Sequence, residues 1–152
     1  MAKLAQLQLV AKMAEEKEQQ AARQLKQASE RVMAEEQQET MLQQYRLDYL
    51  RQLRQKGSDG LGSAVYFQFQ QFLDRLDGVL IGQQTKITEA KAAQQQRRYH
   101  WDQARKQRNA IDLLIEKQKK AQQVKADKLE QKLADEFSTQ QLVRRLMTEE
   151  QN

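Results

Sequence analysis

The sequence predicts an all-α protein, two long helices forming an antiparallel coiled-coil hairpin. Three observations lead there. The 152 residues contain no proline and five glycines, and three of those glycines crowd into the stretch Gly57-Ser58-Asp59-Gly60-Leu61-Gly62. Ala, Leu, Glu, Lys, Gln and Arg dominate the remainder, and these are the residues that lose least on entering a helix. Apolar residues recur at alternating steps of three and four, the spacing that keeps one stripe facing a partner helix. Charged residues make up 31% of the chain and mean hydropathy is −0.96. So polar a chain cannot fill a broad globular core but can fill a narrow seam.

The first helix is expected over about 3–56. Its seam runs Leu4, Leu7, Ala11, Ala14, Glu18, Ala21, Leu25, Ala28, Val32, Glu35, Glu39, Leu42, Arg46, Tyr49, Leu53, apolar at most steps and polar near the middle. Residues 57–63 carry turn chemistry, since Gly, Ser and Asp there favour conformations a helix does not use. Ser63 is the expected N-cap of the second helix, about 64–147. That helix continues the pattern through Phe69, Leu73, Leu76, Leu80, Ile87 and Ala90, thins over 91–100, and resumes at Trp101, Ala104, Ile111 and Ile115. So short a turn makes the helices antiparallel neighbours, within a single coiled-coil domain spanning 1–152. The second helix is the longer. About 25 residues should overhang, and their Leu129, Leu133, Phe137, Leu142, Val143 and Leu146 have no obvious partner in the chain.

One stretch is richer than a two-stranded seam needs. Three of the four phenylalanines lie between Val65 and Gly82. At ~100° per residue, Val65, Tyr66, Phe69, Phe72, Leu73, Leu76, Val79 and Leu80 share an arc of about 140°. The arc divides into a row of Tyr66, Phe69, Leu73 and Leu80 and a row of Phe72, Leu76, Val79 and Gln83. The first helix has its own surplus row, Gln38, Leu42, Tyr45 and Tyr49. Folding about residue 60 or 61 sets Gln38 level with Gln83, Leu42 with Val79, Tyr45 with Leu76 and Tyr49 with Phe72. Two arrangements satisfy this pattern. Either these rows are the seam itself, or they form a joint apolar patch on one flank, and such a patch marks a binding surface. Gly78 and Gly82 fall on the far side of the helix and make it locally soft.

The sequence offers little chemistry. Without cysteine there is neither a disulfide framework nor a thiolate zinc site. The one histidine, His100, has no companion ligand, and no Gly-rich loop followed by Lys could cradle a phosphate. No catalytic residues, metal or cofactor are expected, and the chain is not expected to be an enzyme. The N-terminal apolar run is too short and broken for a signal peptide, and no window approaches the ~18 apolar residues of a membrane span. A soluble, intracellular protein is expected. A net charge of +5 favours acidic partners. Bases gather at Arg97, Arg98, Arg105, Lys106, Arg108, Lys117, Lys119 and Lys120. They form either a solvated face or a charged contact. Nucleic acid is the less favoured partner, with only Tyr99 and Trp101 nearby to stack on bases.

The segments M41-L42-Q43-Q44-Y45-R46-L47-D48-Y49, Q70-Q71-F72-L73-D74-R75-L76, W101-D102-Q103-A104-R105-K106-Q107-R108 and K132-L133-A134-D135-E136-F137 resemble the FliJ family of the bacterial flagellar type III export apparatus. The resemblance covers nearly the whole chain, with the glycine-containing turn in the same place. It implies a non-catalytic stalk like the central shaft of a rotary ATPase. Such a stalk associates with the hexameric flagellar export ATPase and its regulator, promotes ring assembly, and engages the cytoplasmic domain of the export-gate membrane protein. Handling of export chaperones is a further implied role, as is a location in the cytoplasm at the inner face of the inner membrane. The family's gate-binding positions match Gln38, Leu42, Tyr45, Tyr49, Phe72 and Leu76, while Val79 and Gln83 stand where other members differ. Entry into the ring by the terminal end of the hairpin would make Arg97, Arg98, Arg105, Lys106 and Arg108 the ATPase contact. An equivalent stalk of an injectisome-type system and a generic coiled-coil scaffold are the alternatives.

Overall fold

The computed structural model describes residues 2–58, 60 and 62–151. It contains helix α1, Ala2–Ser58, and helix α2, Ser63–Glu150, in an all-α antiparallel hairpin. The expected bounds of both helices lie within three residues of these. Nothing in the local chemistry interrupts either helix. Each of the five threonines, the residues most apt to compete with the helical ladder, turns its hydroxyl back to donate to the carbonyl four residues earlier, as Thr40 does to Glu36 at 3.1 Å.

The turn is shorter than the expected 57–63, since Gly57 and Ser58 belong to α1 and Ser63 to α2. The Tyr66 amide donates to the Gly62 carbonyl at 3.1 Å, so Gly62 occupies the capping position and Ser63 is already inside the helix. Glycine is an acceptable cap because it leaves the first-turn amides open to water. Gly60 has φ +86°, and its amide donates to the Gly57 carbonyl at 3.3 Å. Asp59 and Leu61, also assigned to the turn, lie outside the described residues.

The chain divides into two compact units. In residues 17–105 the helices pair in one register throughout. Tyr49 meets Phe72, Arg46 meets Asp77, Glu39 meets Gln84, Ser29 meets Gln94 and Gln24 meets Arg97. Partners rise in number on α1 as they fall on α2, which is the alignment expected from a fold about residue 60 or 61. Phe69, Leu73, Leu76, Gln83, Ile87 and Ala90 of α2 are buried, as is Val32 of α1, with Leu25, Leu42, Tyr49, Leu53 and Leu80 half-buried. All but Gln83, which belongs to the expected flanking row, are positions of the predicted seam. The polar members of the seam are satisfied: Gln83 donates to the Glu35 carboxylate at 2.6 Å, and Arg46 pairs with Asp77 at 2.6 Å. No buried side-chain polar atom among the described residues lacks a partner.

The second unit comprises residues 2–16 and 106–151. Ala14 is buried there, and Leu4, Leu7, Ala11, Ile111 and Ile115 are half-buried. A shallow groove is lined from both segments, by Ala11 and Glu15 on one side and Arg108, Asp112 and Ile115 on the other. After Gln122 every described residue is exposed, although the helix continues to Glu150. Leu129, Leu133, Phe137, Leu142, Val143 and Leu146 therefore lack a facing segment, and they stay helical.

Candidate functional site

The aromatic cluster beside the turn is built by the register just described. Tyr49 lies at a seam position of α1, and its ring meets two rings of α2. Its centroid is 4.8 Å from Phe69 and 4.3 Å from Phe72, both in tilted contacts. Tyr45, one helical turn earlier, meets the edge of Phe72 at 6.0 Å and an interplanar angle of 74°. The Lys56 ammonium sits 5.3 Å from the Phe69 centroid and closes the cluster on the turn side. Ring pairs in such geometries add about 0.5–1.5 kcal/mol each beyond the area they bury. The cluster is thus both packing and surface.

The predicted rows divide between seam and flank. Leu76 and Gln83 are 6% and 4% exposed and belong to the seam. Gln83 cannot present its amide on the surface, because its Nε2 donates to both the Glu35 carbonyl at 2.8 Å and the Glu35 carboxylate at 2.6 Å. Leu42, Tyr49 and Phe72 are half-buried at the seam's edge. Gln38, Tyr45 and Val79 are open to solvent, the last two 52% and 53% exposed. The physical reason is the width of a two-helix seam. A stripe of ~100° on each helix is covered, and side chains farther round stay wet. Seam and patch are therefore adjoining strips of one row pair.

Several large apolar residues outside the expected seam and flank are exposed, Phe67 and Ile81 among them. Phe67 and Ile81 are 62% and 70% exposed and lie off the seam. Their departure from the three-and-four steps was the available signal, and it is weak for single residues.

The basic candidates do not make one site. In the 17–105 unit, Arg97 donates across to Gln24 at 3.2 Å and Arg98 is exposed. Arg105 pairs with Asp102 at 3.3 Å and lies 5.0 Å from the Trp101 ring. In the other unit, Lys106 is exposed, and Arg108 is half-buried at a seam position with Asp112 at 3.6 Å. His100 makes an edge contact with Tyr99 at 6.0 Å. No helix among the described residues is long and apolar enough to cross a membrane.

Neither curated proteins nor solved structures yielded a match. The family model described as the flagellar FliJ protein matches residues 3–146, which takes in both helices, the turn and the aromatic flank. The chain belongs to the FliJ family, coiled-coil proteins of the flagellar export apparatus.

Proposed function

We propose that this chain is a non-catalytic stalk of the flagellar export apparatus, a single coiled-coil domain that promotes assembly of the hexameric export ATPase and engages the cytoplasmic domain of the export gate. The observation that carries the reading is the flank beside the turn. There Tyr45, Tyr49, Phe72 and Val79 form an apolar strip continuous with the seam yet partly open. A partner can cover that strip without unzipping the helices. Gln38 and Leu42 extend it away from the turn, and Leu76 and Gln83 support it from beneath. Arg97, Arg98, Arg105, Lys106 and Arg108 are the proposed ATPase contacts, charged groups that steer association with an acidic surface. The work is mechanical coupling at the cytoplasmic face of the inner membrane.

The test has two arms. The protein is mixed with its cognate export ATPase, its regulator and nucleotide, and ring formation is followed by light scattering and ATPase rate. Enhanced assembly supports the stalk reading, while an unchanged rate with folded, helical protein removes it. In the second arm, Tyr45→Ala with Val79→Gln should abolish binding to the gate domain and leave the helical circular dichroism intact. A second reading, escort of export chaperones, is favoured by the uncovered Leu129, Leu133 and Phe137. Chaperone binding that persists after deletion of residues 124–152 would rule that surface out.

A further inference from the structure

A different surface of α2 has a chemistry that neither the seam nor the aromatic flank uses. At ~100° per residue, Leu113, Leu114, Lys117, Lys120, Val124, Lys125, Lys128 and Lys132 fall within an arc of about 140°. The arc is centred about 120° round the helix from the seam residues Ile111, Ile115 and Gln118. Between residues 113 and 132 no carboxylate falls inside it, for Glu116, Asp127 and Glu130 all lie beyond its edge. Leu113, Leu114 and Val124 are 65%, 53% and 48% exposed, and all five lysines are exposed. A shallow groove along the face is lined by Lys117, Lys120, Ala121, Val124, Lys125 and Lys128.

Some bases elsewhere in the chain have carboxylate partners. Arg46, Lys91, Arg105 and Arg108 each pair with a carboxylate. None of Lys117, Lys120, Lys125, Lys128 and Lys132 does so among the described residues. Over residues 113–132 no carboxylate shares their face, and the next ones, Asp135 and Glu136, line a groove with Lys128 and Lys132. We infer that this face of α2 is a peripheral contact for an anionic phospholipid surface. The lysine ammonium groups would meet headgroup phosphates, and Leu113, Leu114 and Val124 would enter the headgroup boundary between them.

Two features favour a lipid surface over an acidic protein or a nucleic acid. Every base in residues 109–143 is lysine and none is arginine. Arginine's planar fork suits fixed, bidentate partners and is enriched in protein interfaces, where lysine is depleted. A lysine is a hydrated point charge on a flexible stem, suited to a diffuse field of mobile headgroups, and its stem can lie along apolar surface while the charge stays wet. The face is also borne on one helix, with Leu113, Leu114 and Val124 exposed among its charges. With only three large apolar groups, attachment is chiefly electrostatic, reversible and salt-sensitive. The inference does not depend on the export role, and its test uses no export component.

Full-length protein is sedimented with vesicles of phosphatidylcholine alone, or of phosphatidylcholine with about 30% phosphatidylglycerol, at about 0.05 M and about 0.5 M salt. Binding to the anionic vesicles only, lost at high salt, is expected. A variant with Lys117, Lys120, Lys125, Lys128 and Lys132 all changed to Gln should bind at least about tenfold more weakly, with unchanged helical circular dichroism. A charge-matched control, with Lys3, Lys12, Lys17, Arg23 and Lys26 changed to Gln, should lose much less. Equal losses in the two variants would reduce the effect to net charge and overturn the assignment. So would absence of binding to anionic vesicles. Tighter binding to polyglutamate or to duplex DNA than to the anionic vesicles would also overturn it, and would assign the face to an acidic protein or a nucleic acid instead.

Discussion

Gly60 takes φ +86°, in the region where a side chain's Cβ crowds the backbone. Gly60→Ala should therefore destabilise the protein by about 1–2 kcal/mol, although an added methyl would meet no other atom. Gly78 and Gly82 present the opposite case. Both are helical and exposed, and an added Cβ at either would meet nothing within 4 Å. Replacing both by Ala should raise stability by about 0.5–1 kcal/mol each, through the lost backbone freedom of the unfolded chain. Urea unfolding of the three variants checks the opposite signs. Gln83 is the residue whose setting was least legible. Its hydrogen bonds to Glu35 depend on side chains meeting across the hairpin, which neighbouring sequence does not record. Gln83→Ala should cost about 1–3 kcal/mol by leaving the half-buried Glu35 carboxylate without this donor. Replacing both Gln83 and Glu35 by Leu should recover most or all of that loss, and a double-mutant cycle measures the coupling.

Each helix has the seam expected from its own spacing. Steps of three and four place every seam residue of α1 from Leu4 to Leu53 in a buried or half-buried position. This includes Glu18, Glu35, Glu39 and Arg46, where composition alone would have put a solvent face. Spacing succeeded because a helix turns at a fixed rate, so a partner found at one turn is faced again two turns later. It did not separate seam from flank. Phe72 lies beside the seam, while Phe69 and Leu73 are 8% and 4% exposed. Leu73→Ala should cost about 2–5 kcal/mol. Val79→Ala, at a position 53% exposed, should stay within about 0.5 kcal/mol. Thermal unfolding followed by circular dichroism separates the two. If Val79→Ala proves as costly as Leu73→Ala, the flank is core and cannot serve as the proposed gate contact. Beyond Gln122 the helix has propensity but no facing segment. Its amides should therefore exchange with solvent faster than those around Leu73 and Ile87.

For the molecule as a whole, the net charge of +5 is shared by both units, with 14 bases against 11 acids in residues 17–105 and 12 against 10 in the rest. Within residues 17–105 a few bases bridge the helices, as Arg46 does with Asp77 and Lys91 with Glu36 at 3.5 Å. In the unit containing residues 106–151 five lysines remain unmatched on one face. Exposed pairs such as Lys91–Glu36 are worth about 0–1 kcal/mol, so raising the salt should change thermal stability little. Association with the export ATPase and with anionic vesicles should fall steeply over the same range. Unfolding and binding measured against one salt series would expose that difference. A parallel loss of stability and binding would mean that the charges serve folding.

The sequence by itself determined the helical class, both helix spans, the turn, the antiparallel register and the run of the seam. Each of these follows from chain-local rules: the absence of proline, the clustering of glycine, and a periodicity fixed by the helical turn. Only the tertiary structure decided that Gly62 rather than Ser63 caps α2, that Gln83 is buried and held by Glu35, and that Tyr45 and Val79 stay open. Those outcomes depend on where a side chain meets the opposite helix. Residues at the edge of a stripe share the same spacing whether or not a neighbour covers them, so it took the contacts across the hairpin to separate support from surface.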